Sequence, residues 1–124
     1  MYESVIKKLQ LNLFFFILIQ SEVLSSNLIL FTCKNTENDS IHKFKIFLNY
    51  KVVNILPNGY EFNYLIEKES SDEVKAYFYQ KELNLIKKFT LSFNLKDNIL
   101  YDEMYEGKDT KNLKLKDKKI FMCK

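Results

Sequence analysis

No arginine and no tryptophan occur among the 124 residues; proline, alanine and histidine occur once each, glycine twice and cysteine twice. Each scarcity excludes something. With Gly59 and Gly107 as the only glycines, no glycine-rich phosphate loop can be built. The lack of arginine removes the planar, bidentate donor on which phosphate and guanine contacts lean, so nucleic acid is not an expected partner. The 19 basic residues are all lysine in a chain of net charge +3, and they read as a solvated surface. One histidine and two cysteines cannot complete the four ligands of a closed zinc site, and no cofactor or metal is expected. What abounds is Lys, Asn, Ile, Phe and Tyr, the signature of A+T-rich codons, so residue frequency carries little functional meaning.

The order of the first residues carries more. Lys7 and Lys8 precede the run Leu11 to Ile19, apolar apart from Asn12, and Val23-Leu24-Ser25 offers a cleavage site; basic, apolar, then small is the layout of a secretory signal peptide. Residues 1–25 are read as that signal, forming an N-terminal helix, with cleavage after Ser25; cuts after Ser21 or Ser26 stay open. The competing reading is an uncleaved membrane anchor. A spanning helix needs about 20 mostly apolar residues. Stretching this run that far brings in Gln10, Asn12, Gln20 and Glu22. A secreted or periplasmic location is therefore expected, with membrane contact only through this segment if it is not removed.

Residues 26–124 form one small domain, with no repeat, linker or low-complexity tract, and its recurrent pattern is period-two alternation. Phe44, Ile46 and Leu48 alternate with Lys43, Lys45 and Phe47, and Asn49-Tyr50 turns the chain into Lys51 to Leu56. Pro57-Asn58-Gly59 is the plainest turn. Strands follow over 60–67, over 74–79 and over 88–95, where Phe89, Leu91, Phe93 and Leu95 share one face, and Lys96-Asp97-Asn98 turns into 99–105. Residues 80–87 fit either a strand or a helical turn. Residues 106–119 are charged and read as loop-rich, leaving a short last strand at 120–123. With residues 28–33 as the first, about eight strands result, and the expected fold is mainly β, an antiparallel meander curled into a small barrel or a strongly twisted sheet.

Cys33 ends the first strand and Cys123 the last, and a single disulfide between them is expected, which places the two chain ends side by side; the alternative is two free thiols. The layout of signal segment, Cys33, Phe44 to Asn49 followed by Lys51-Val52-Val53, Phe89 to Asn94 and terminal Cys123 resembles small secreted proteins of Gram-negative bacteria in which a first and a last cysteine bracket a β meander. Many of those carry a Thr-Gly turn where this chain has Asp97-Asn98. The resemblance implies a fold and no activity.

Catalytic patterns are absent. His42, in a polar stretch, reads as an exposed imidazole. Asp102 and Glu103 are adjacent, so in a strand they point to opposite faces and make a poor acid–base pair; a solvated edge is the expected setting. Tyrosine is the residue type with functional content. Tyr60, Tyr64, Tyr77, Tyr79, Tyr101 and Tyr105 are candidates for a ligand or partner surface, because the ring gives contact area and keeps one polar tip. Cross-strand packing is the plainer use of the same residues. The expected function is a non-enzymatic binding or interaction module for a small ligand, a peptide or an envelope protein. The alternative is a small secreted hydrolase whose carboxylates converge only in the fold.

Overall fold

The computed structural model describes residues 27–124, so the expected signal helix over residues 1–25 lies outside the described residues. Eight antiparallel strands follow one another: β1 (Leu28–Asn35), β2 (Ile41–Phe47), β3 (Lys51–Ile55), β4 (Glu61–Glu69), β5 (Glu73–Glu82), β6 (Leu85–Asn94), β7 (Ile99–Gly107) and β8 (Lys114–Cys123). Each pairs with its neighbour in sequence, and β8 returns to pair with β1, closing a barrel. Of the two expected shapes, closed barrel and open twisted sheet, the barrel is the one formed.

Short turns make the meander. Asn49, Asn84 and Asn98 take φ of 65°, 62° and 57°, and Gly59 takes 93°. Asparagine tolerates this left-handed region because its short amide bonds to nearby backbone, and glycine does so because it has no Cβ. Residues 80–87 resolve as the end of β5, a tight turn at Leu83 and Asn84, and the start of β6.

Alternation then decides what goes inside. Phe44 and Ile46 of β2, Val74 and Ala76 of β5, Leu91 and Phe93 of β6, Leu100 of β7 and Phe121 of β8 are buried, with Leu48, Phe89 and Leu95 packed against them. Their rings lock together: Phe93 meets Phe44 edge-on at 5.4 Å and stacks on Phe31 at 5.9 Å. Each fully buried Phe or Leu contributes about 1.5–3 kcal/mol relative to an exposed one.

Cys33 and Cys123 are bonded to each other, as directly paired residues of β1 and β8. The bridge closes a separation of 90 residues, for which the chain-entropy account gives about 4–5 kcal/mol.

One expected boundary is corrected. β8 starts at Lys114 and is a ten-residue strand, where the sequence reads as loop as far as Lys119. Its inward positions before Phe121 are Lys119 and Asp117, so the apolar beat that marks a strand is missing. Those charges face inward for a reason found at the open end of the barrel.

Candidate functional site

An eight-stranded barrel is just wide enough for its own side chains or for one small ligand. This barrel divides its interior between the two. At one end Phe44, Phe93 and Phe121 with Ile46, Leu91 and Leu100 fill the lumen. At the other end a cavity of about 640 Å³ opens among residues of seven strands, β2 to β8.

Its two sides differ in chemistry. On β4, β5 and β6, Phe62, Phe78 and Phe89 stand as near-parallel rings. Phe62 and Phe78 are 6.1 Å apart at 5°, and Phe78 and Phe89 are 4.7 Å apart at 13°. Tyr64 meets Phe78 edge-on at 4.8 Å. The other side, from β2, β3, β7 and β8, presents His42, Asn54, Asp102, Asp117 and Lys119. The floor between them is aromatic, since the His42 ring lies edge-on to Phe121 at 4.9 Å.

The polar side is a connected set. His42 Nδ1 lies 3.2 Å from Asn54 Oδ1, and the buried Asn54 side chain acts on the Tyr64 phenol as well, favouring its ionised form. Burial lowers the His42 pKa and the Lys119 charge adds to this, while the Asn54 hydrogen bond opposes it. The ring is therefore neutral at neutral pH. Burial raises the Tyr64 phenol far above its ordinary range, with the Asp102 charge adding to the effect. Asp102 is pushed up to about 6, chiefly by burial; Lys119 opposes the rise, and Asp117 and Glu103 reinforce it.

Charge pairing within the cavity is incomplete. Lys119 lies directly opposite Asp102 in the β7–β8 ladder, but its ammonium sits 3.7 Å from Asp117 Oδ2. Among the described residues, no ion pair or hydrogen bond reaches the Asp102 carboxylate. Also among the described residues, no group of His, Cys, Asp or Glu is placed to hold a metal ion.

The six candidate tyrosines are not brought together. Tyr64 faces the lumen and is buried. Tyr79 stands at the rim of the cavity, edge-on to Tyr77 at 5.6 Å, and Lys88 lies over both rings on the outer wall. Tyr101 lies outside under Lys118, Tyr105 donates a hydrogen bond to Glu103 at 2.9 Å, and Tyr60 is exposed at the β3–β4 turn. Tyr105 also borders a second recess of about 430 Å³ on the outer wall, beside Lys88, Glu103 and Lys111. The backbone also approaches closely at Gly107, where an added Cβ would clash with the Asn112 carbonyl oxygen.

His42 and Asp102 are more enclosed than their sequence context suggests. Asp102 and Glu103 do point to opposite faces, but the Asp102 face is the lumen. A readable sign was present: Asp102 shares its strand phase with Leu100 and Met104, and an acid on an apolar face needs a reason. Asn54, in phase with Val52 and Leu56, carries the same sign, whereas Asp117 and Lys119 carry none.

Searches against protein-family models, curated proteins and solved structures return no match for this chain.

Proposed function

We propose that this protein is a non-enzymatic carrier or sensor that holds one small organic ligand in the open end of its barrel, with a flat apolar part against the phenylalanines and a polar end toward Asn54, Tyr64 and Asp102. The observation that carries the reading is the division of the lumen. One end is packed to exclusion and the other holds about 640 Å³, within the range of small-molecule sites. Of the tyrosine set, Tyr64 and Tyr79 are the members that would meet such a ligand. The signal-like order of residues 1–25 and the disulfide fit an exported protein working in an oxidising compartment.

The hydrolase alternative draws support from Asp102 and Asp117, both on the cavity. They sit diagonally on adjacent strands of one wall, with Lys119 beside them. A glycosidase pair must flank the scissile bond from two sides, so this placement favours binding.

The test is titration with naphthylmethanol, a neutral aromatic probe, followed by ligand fluorescence and by protein NMR. One-to-one binding is expected, with shifts at Phe62, Phe78 and Phe89. Met104→Trp, which fills the cavity from β7, is expected to abolish binding while the circular dichroism spectrum keeps its strand form. Binding that survives this substitution would place the ligand elsewhere and sink the proposal.

A further inference from the structure

The cavity has a charge left over. Its one lysine forms an ion pair with Asp117 and acts on Asp102 only through its charge, with no ion pair between them, so among the described residues two carboxylates share one ammonium. A half-buried carboxylate with so incomplete a counter-charge is costly, and it persists where something else supplies the charge. The facing wall is suited to the same kind of guest. Phenylalanine rings present an electron-rich face, which attracts a cation placed over it; Phe62, Phe78 and Phe89 stack on one another, so only the end rings can turn a face outward, and the row as a whole offers apolar contact for a ligand's body.

Resting on the binding reading above, we infer that the ligand is a small organic cation, an amine carried on an apolar body, with Asp102 as its counter-charge and the three-phenylalanine shelf against its body. A carboxylate ligand would meet the opposite conditions. It would enter beside Asp102 and would share Lys119 with Asp117. A neutral ligand would leave Asp102 as it is.

The chemistry is tested with three probes of one shape, naphthylmethylamine, naphthylmethanol and naphthoate, titrated into the full-length folded protein at neutral pH. The amine is expected to bind about tenfold or more tighter than the alcohol, and naphthoate weakest. Asp102→Asn should reduce the amine-to-alcohol ratio to near one. Lys119→Met, which removes the competing cation, should raise it, so the two variants move the same ratio in opposite directions. If one variant fails to fold, as judged by circular dichroism, the other still decides. An amine preference unchanged by both substitutions, or naphthoate binding as tightly as the amine, overturns the inference while the cavity keeps its role. If none of the three binds, the cavity reading itself falls and takes the inference with it.

Discussion

Asp102 occupies a place that the rest of β7 prepares for an apolar side chain, and its titration follows from that. Its carboxyl is raised from 3.8 to about 6, so the folded protein takes up this proton more readily than the unfolded chain does. Ionised Asp102 therefore weakens the fold above about pH 6, and the penalty is relieved as pH falls from there toward 4. His42 acts with the opposite sign. Its pKa is lowered, so the unfolded chain takes up that proton more readily, and stability is lost as pH drops below the ordinary imidazole value of 6.5. Replacing Asp102 by Asn is expected to raise stability at neutral pH by about 1–3 kcal/mol and to remove the gain on acidification. The His42 loss should then stand alone. Chemical denaturation of both proteins across this range measures it, and an Asn variant less stable than the parent at neutral pH would contradict the account.

At the scale of the element, β6 is the strand whose fate was most legible. Phe89, Leu91 and Phe93 alternate with polar residues, and they lie inward in the barrel. Leu91 is fully buried, so Leu91→Ala is expected to cost about 2–5 kcal/mol. Ser92 points the other way, and Ser92→Ala should fall within about 0.5 kcal/mol of the parent. Thermal unfolding of the pair checks this, and equal losses would mean that the strand phase is misassigned. β8 was legible only in its last four residues, and the contrast is instructive. Period-two reading works where one face of a strand is apolar along its whole length. β8 runs from the open end of the barrel into the packed end, so its inward residues change from Asp117 and Lys119 to Phe121. The strand became hard to see where it joins the cavity. The turns were easier, since Asn49, Gly59 and Asn98 announce positive φ by residue type alone. The site itself was the least legible part. Phe62, Phe78 and Phe89 belong to three strands, and only closure of the sheet sets them opposite Asp102.

For the whole molecule, the outer wall bears on where the barrel works. Outward positions along the strands carry Lys43, Lys45, Glu67, Lys75, Lys88 and Glu103. A lysine on the lipid face near mid-bilayer costs roughly 2–4 kcal/mol, so a wall with this pattern suits water. Among the described residues, no helix is long and apolar enough to cross a membrane. The expectation is export followed by trimming: intact mass of protein recovered from the periplasm or medium should correspond to a chain starting at or near Ser26, with Cys33 and Cys123 oxidised. Full-length chain in the membrane fraction would make residues 1–25 an anchor.

The seam between β1 and β8 is the shortest ladder of the wall. It has three residue pairs, at Cys33, Lys34 and Asn35, extended by backbone hydrogen bonds between Thr32 and Lys124, against ten pairs between β5 and β6. The seven other pairings join strands that are neighbours in sequence, and such local hairpins form early and fast. Closure is the one step that must bring together residues 90 positions apart, so it comes last. Until then the barrel is an open eight-stranded sheet with two bare edges, each able to pair with another copy and start an aggregate. Oxidation of the two thiols ends that exposure at the moment the edges meet. The disulfide is then a latch on assembly as well as a brace for the finished fold, and a cell that made this chain in a reducing compartment would hold it longest in its most adhesive form.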